Sequence, residues 1–180
     1  LGDVYKRQQS FTAGKGRVLL KGETTERDAE GKVVRSLTNN EVLRRLKIAR
    51  KALGDKTKIM IDANQVWEVD EAIKWIKKLE FSNPFFIEEP TSPDDVSGHK
   101  KIRQAVKPIK VATGEMCQNR IMFKQFIQED ALDIVQIDSC RIGGLNEVLG
   151  VLLLAHKYGK PVWPHAGGVG LCEYAVSYTQ

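Results

Sequence analysis

Phe85-Phe86-Ile87-Glu88 is a short apolar run closed by a carboxylate, and after one helical segment Ile109-Lys110-Val111-Ala112-Thr113-Gly114-Glu115 repeats the pattern. Runs this apolar, and too short for helices, read as strands buried on both faces. The same unit recurs in both directions. Upstream is Lys58-Ile59-Met60-Ile61-Asp62; downstream are Ile134-Val135-Gln136-Ile137-Asp138 and Pro161-Val162-Trp163-Pro164-His165. The segments between them carry apolar residues at helical spacing. Ala72, Ile73, Ile76 and Leu79 mark one helix, and shorter helices are expected over residues 96–105 and 120–128. A longer helix over about 146–156 has Leu145, Val148, Leu149 and Leu152 on one face. Ahead of all these, Thr38 and Glu41 form a capping box for a helix carrying Val42, Leu43, Leu46 and Ala49, which Leu53-Gly54 ends. A last helix starts near Gly170 and runs to Gln180.

Strand then helix, repeated, predicts a parallel sheet covered by helices. No G-x-G-x-x-G loop follows a strand, so a doubly wound dinucleotide-binding sheet loses support. The period decides further. The polar strand ends Asp62, Glu88, Glu115, Asp138 and His165 are separated by 26, 27, 23 and 27 residues. Eight strand-helix units in roughly 250 residues make a (β/α)-barrel, whose active sites gather at the C-terminal strand ends. The expected fold is therefore α/β, a partial (β/α)-barrel over residues 16–180. Residues 17–21 read as one earlier strand and residues 22–36 as a polar loop. Residues 1–15 read as a leader, either a non-native remnant or a disordered segment.

Composition bounds the function. With 42% hydrophobic and 28% charged residues the chain can bury a core and is not disordered. The net charge of +5 is spread along apparent helix faces such as Arg44-Arg45-Leu46-Lys47, with no basic run interleaved with aromatics, so no nucleic-acid partner is expected. The longest apolar run, residues 148–155, is far too short to span a bilayer, so no membrane partner is expected. Three cysteines, Cys117, Cys140 and Cys172, lack the spacing of a disulfide framework or zinc site and point to a reducing intracellular compartment. No signal peptide is visible; the chain opens on Leu1, which leaves an upstream targeting segment open.

The strand ends carry the chemistry. A lone carboxylate is better explained as a loop cap or surface ion pair. Three in register, Asp62, Glu88 and Glu115, cannot share a dry pocket without a cation. Hard oxygen donors favour Mg²⁺, which keeps coordination positions open for water or substrate. Asp138 beside His165 would fix the imidazole tautomer and raise its basicity, making His165 a general acid or base. The following Ala166-Gly167-Gly168-Val169-Gly170 lets backbone approach a ligand closely. His99 and His156 read as ordinary loop and helix residues, and Cys117 and Cys140 as packing.

Ile61-Asp62-Ala63-Asn64-Gln65, Ile87-Glu88-Glu89-Pro90, Thr113-Gly114-Glu115, Gln136-Ile137-Asp138 and the later His165 resemble the mandelate racemase branch of the enolase superfamily, in the right order and spacing over about residues 38–180. Glu88-Glu89-Pro90-Thr91-Ser92-Pro93-Asp94-Asp95, Asp138-Ser139-Cys140-Arg141 and His165-Ala166-Gly167-Gly168-Val169-Gly170-Leu171-Cys172-Glu173 resemble, within it, the L-fuconate dehydratases. The resemblance implies Mg²⁺ held by Asp62, Glu88 and Glu115, and an Asp138–His165 catalytic dyad. It implies a hydro-lyase that dehydrates an acid sugar to a 2-keto-3-deoxy acid through an enediolate, located in the mitochondrion or the cytoplasm. It leaves self-association as a homo-oligomer open.

The chain departs from that pattern in two ways. The family carries Lys-x-Lys at the end of the second barrel strand, whereas here Val18-Leu19-Leu20-Lys21-Gly22 keeps at most one lysine, and the catalytic role is not carried onto Lys21. The capping domain, first strand and last strand are not found. The chain alone is accordingly expected to be inactive, and the alternative function is a truncated isoform or pseudoenzyme with a binding or regulatory role.

Overall fold

The structure, a computed structural model, describes residues 24–27, 33–37 and 39–166. The described residues fall in two compact units, a first one up to residue 112 and a second one from residue 113.

The first unit opens with a two-stranded antiparallel ribbon, β1 (Thr24–Arg27) and β2 (Val33–Leu37), whose register shifts between Glu26 and Arg27. This corrects the polar loop expected over residues 22–36. Thr24-Thr25 and Val33-Val34 are β-branched pairs that favour extended backbone, a signal the high local charge obscures. Helix α1 (Asn39–Leu53) follows. Thr38 of the expected capping box lies outside the described residues.

Strand β3 (Ile59–Asp62), helix α2 (Val69–Leu79), strand β4 (Pro84–Glu88), helix α3 (Val96–Ala105) and strand β5 (Lys110–Thr113) then alternate as expected. β3 pairs with β4, and β4 with β5, both in parallel. In β4 both Phe86 and Ile87, whose side chains point to opposite faces, are buried, so both faces of the strand are closed to solvent. Helix α2 buries Ala72, Trp75, Ile76 and Leu79, one face at i, i+3, i+4 and i+7. Trp75 stacks on Trp67 at 6.5 Å, nearly parallel. Its ends suit the helix dipole, with Asp70 and Glu71 in the first turn and Lys77 and Lys78 in the last. The Asp95 side chain caps α3, its Oδ1 accepting from the Gly98 N–H at 2.7 Å.

In the second unit, helix α4 (Arg120–Gln128) starts under an Asn119 cap that accepts from the Ile121 and Met122 N–H groups. Strand β6 is regular only at Ile134–Val135. Its line continues, since the Gln136 N–H donates to the Thr113 carbonyl at 3.0 Å. The expected fifth strand at 161–165 is reduced to one parallel bridge, Val135 to Val162. The reason is proline: Pro161 and Pro164 have no N–H. The donors that remain fall where the ladder needs them, Trp163 to the Val135 carbonyl and His165 to the Ile137 carbonyl.

Helix α5 (Leu145–Lys157) corrects a second expectation. It buries Val148, Val151 and Ala155, while Leu145 and Leu149 are exposed. A helix apolar almost all round does not announce its buried face by periodicity. Among the described residues no helix is long and apolar enough to cross a membrane.

Candidate active site

Parallel strands present their C-terminal ends side by side, so the residue that ends each strand is delivered to a common edge. Asp62 and Glu88, the last residues of β3 and β4, are register partners. The chain turns sharply after each. Asn64, Gln65 and Glu89 adopt left-handed backbone, with φ of 51°, 64° and 43°. The turns are held from within: the Asp62 Oδ1 accepts from the Asn64 N–H at 2.8 Å, and the Ala63 N–H donates to the Glu88 carbonyl at 2.9 Å. The Gln65 side-chain amide donates to Glu89 Oε2 at 2.8 Å.

In the second unit the chain leaves β5 through Gly114, at φ +136°. A Cβ there would stand 2.5 Å from Phe123 and 2.7 Å from the Gln136 carbonyl, so only glycine fits. Glu115 follows directly. Its Oε2 lies 2.9 Å from His165 Nε2, and its Oε1 accepts from Arg141 Nη1 at 2.6 Å. Asp138, 3% exposed, places Oδ2 2.7 Å from His165 Nδ1 while its Oδ1 accepts from the Cys140 N–H at 2.8 Å. The result is a hydrogen-bonded chain, Asp138 to His165 to Glu115 to Arg141.

Both ring nitrogens of His165 face carboxylate oxygens, so both donate when the ring is protonated. Burial alone would push the imidazole down. Hydrogen bonds and charge from Glu115, then from Asp138, outweigh it and raise His165 above its ordinary value. For Glu115, burial pushes the carboxyl up, but hydrogen bonds from His165 and Arg141 and their charge prevail and hold it at about 2. The carboxylate is therefore ionised throughout the physiological range.

The structure thus brings together Glu115, Asp138 and His165, and sets Asp62 opposite Glu88 on adjacent strands. Lys21 and the glycines at 167–170 lie outside the described residues. Arg141 is the site residue that sequence reasoning passed over. The signal was its place three residues after Asp138, on a tight turn, in a chain whose other cations had been read as solvated. Cys117 is buried as expected, but Cys140 is exposed, which corrects its reading as packing: the turn after Asp138 points it outward. His99, read as an ordinary loop residue, is fully buried in α3, its Nδ1–H donating to the Asp95 carbonyl at 2.8 Å.

Hard oxygen donors at strand ends, one of them ionised down to about pH 2, fit a divalent cation by chemistry. Among the described residues no three His, Cys, Asp or Glu side chains are grouped closely enough to hold one. In this arrangement both Glu115 oxygens are engaged by Arg141 and His165.

Alternating strands and helices, with Asp62 and Glu88 ending adjacent parallel strands in register, define a class, and comparison with known proteins gives its family. The enolase C-terminal domain-like family matches residues 7–179, and the chain belongs to it. L-galactonate dehydratase of Hypocrea jecorina is 66% identical over 135 residues, which are 73% of this chain and 30% of that protein. Human mitochondrial enolase superfamily member 1 is 55% identical over 133 residues, again 73% of this chain and 30% of that protein. The crystal structure of the same human protein superposes with a TM-score of 0.74 at 37% identity, covering 98% of this chain and 46% of that one. L-talarate/galactarate dehydratase from Salmonella typhimurium LT2, liganded with Mg and L-lyxarohydroxamate, gives a TM-score of 0.68 at 39% identity over 72% of this chain and 33% of that one. The chain spans about a third of the length of the curated relatives it matches.

Proposed function

We propose that the protein carrying this chain is a Mg²⁺-dependent hydro-lyase that dehydrates a six-carbon acid sugar, such as L-fuconate or L-galactonate, to a 2-keto-3-deoxy acid. The observation that carries the reading is the Asp138–His165–Glu115 chain, with contacts of 2.7 and 2.9 Å. Dehydration takes one proton from the carbon beside the carboxylate and gives one to the hydroxyl that departs as water. His165 Nε2 is the atom on this chain suited to carry such a proton. With Asp138 on Nδ1, the ring can take a proton at Nε2 and, once protonated, give it to a leaving hydroxyl. Asp138 accepts from Nδ1–H and so turns Nε2, the nitrogen that takes and gives the proton, the other way. Asp62, Glu88 and Glu115 would hold the cation, which when bound offsets the charge that develops as the carbon acid ionises. Support for Mg²⁺ comes from relatives crystallised with it, and support for a sugar acid from relatives named as sugar-acid dehydratases. The compartment we favour is intracellular, mitochondrial or cytoplasmic.

A second reading, a binding protein without turnover, is favoured by the engagement of both Glu115 oxygens within the chain. One experiment separates the two. The full-length protein is assayed for 2-keto acid formation on a panel of acid sugars, with Mg²⁺ and with chelator, beside His165→Asn. Metal-dependent turnover that His165→Asn lowers by about 10³-fold or more supports the dehydratase, given what a proton-transfer group contributes. A folded protein that binds Mg²⁺ but turns over no sugar acid sinks it and leaves the binding reading.

A further inference from the structure

Parallel strands share the edge where they start as well as the edge where they end. Lys58 immediately precedes β3, Phe85 lies at the start of β4 and Lys110 opens β5, on the edge opposite Asp62 and Glu88. The chain entering these strands encloses a cleft of about 190 Å³, lined by Asp55, Lys56, Lys58, Phe85 and Lys110 with their neighbours. Lys58 Nζ stands 4.2 Å from the centroid of the Phe85 ring, and Lys110 Nζ 4.6 Å from it.

The walls are set from behind. Arg50, 8% exposed, donates to the Gly54 and Thr57 carbonyls on one side of the cleft and to the Ser82 and Asn83 carbonyls on the other. Loops held in this way do not have to be ordered when a ligand arrives, which lowers the cost of binding.

One ammonium over one ring is ordinary packing. That does not account for two over the same ring, which stand within about 9 Å of each other, where like charges repel. With Lys56, the lining carries three lysines against one carboxylate, Asp55, an excess of positive charge that suits a dianion. The volume is below the roughly 300–1,000 Å³ of pockets that take drug-sized ligands, so the cleft fits a single small group. Ammoniums are compact point charges that bind phosphate without the planar match an arginine fork makes. We propose that this cleft binds a phosphate group, seated between the Lys58 and Lys110 ammoniums beside the Phe85 ring.

The test is isothermal titration of the full-length protein with inorganic phosphate, and separately with glycerol phosphate. Chelator is present, so that phosphate held by a divalent cation does not contribute, and chloride keeps the ionic strength constant. Wild type is compared with Lys58→Gln, Lys110→Gln, their double variant and Asp55→Asn. The control is Lys124→Gln, which removes the same charge from an exposed position on α4. Each single lysine variant is expected to bind about 10-fold more weakly and the double about 100-fold, one charge-assisted hydrogen bond apiece. Asp55→Asn should bind several-fold more tightly, and Lys124→Gln should match wild type. Binding of inorganic phosphate alone makes the free ion the ligand; binding of both probes makes it the phosphate group of an ester. If Lys110→Gln fails to fold, Lys58→Gln and Asp55→Asn, both at exposed positions, decide the matter by shifting affinity in opposite directions. Absence of saturable binding up to about 10 mM overturns the proposal. Affinity that the cleft variants leave unchanged, or that Lys124→Gln lowers equally, also overturns it and assigns the binding to another site or to diffuse charge.

Discussion

His165 has a carboxylate on each ring nitrogen, and this single residue makes the site sensitive to pH in both directions. Glu115 is held at about 2 in the folded chain, below its ordinary 4.5. A carboxylate whose folded value is depressed adds stability above its unfolded value, and that stability is lost as pH falls through the folded one. Glu115 should therefore cost the protein stability between about pH 5 and 2, by about 2 kcal/mol after solvent screening. His165 is raised above 6.5, so its contribution is complete below that value and disappears as pH rises through its folded value. Urea unfolding across pH should show both declines. Glu115→Gln should flatten the acid limb, and Asp138→Asn should reduce the alkaline one; an alkaline limb unchanged in Asp138→Asn would contradict the geometry. The Asp138–His165 pairing was legible beforehand, because both residues follow apolar strand-like runs at the barrel period. The Glu115–Arg141 pair was not, because its members are 26 residues apart and only the turn after Asp138 brings them into contact.

Among the elements, helix α1 holds the clearest case of a charge doing structural work. Val42, Leu46 and Arg50 recur every fourth residue, so Arg50 lies on the buried face and is 8% exposed. Its guanidinium donates to four backbone carbonyls: Ser82 at 2.7 Å, Gly54 at 2.8 Å, Thr57 at 2.7 Å and Asn83 at 3.2 Å. It thereby satisfies the chain ends around α1 and the short 3-10 turn Glu80–Ser82. Arg50→Ala should lower unfolding free energy by about 3 kcal/mol, since buried acceptors lose a charged donor. Arg50→Lys should recover less than half of it, because a single ammonium cannot span four carbonyls. A change within about 0.5 kcal/mol in a urea titration would refute the staple. Helix α5 shows the opposite limit of sequence reading. Leucines at 145, 149 and 153 form a regular stripe, yet they are exposed at 57%, 47% and 71%. Val148, Val151 and Ala155 pack instead, because a compact interior selects for shape and a small side chain can approach where leucine cannot.

For the molecule as a whole, charge is the property that most needs testing against function. A net charge of +5 and an isoelectric point near 9.1 would suit a polyanion binder if the cations shared one face. Several of the described cations are committed to carboxylates: Lys101 to Asp70, Arg120 to Glu147 and Lys160 to Asp130. Duplex DNA labelled for fluorescence anisotropy should therefore show no binding tighter than about 10⁻⁴ M at physiological salt. A dissociation constant near 1 μM with a steep salt slope would overturn that expectation and reopen the nucleic-acid class.

The amino-acid sequence by itself determined the alternation of strand and helix, the parallel pairing, and the acids that end two of the strands, Asp62 and Glu88. Those follow from local periodicity and chain direction, which neighbouring residues encode. It also carried the motifs that place the chain in its family. Tertiary structure alone decided which face of α5 is buried, that residues 24–27 and 33–37 pair as a ribbon, and that Cys140 is exposed. It alone set which oxygen of Glu115 meets His165 and which meets Arg141. These are choices between partners distant in sequence, settled by packing volume and by the angle at which a turn launches a side chain. No local pattern records either quantity.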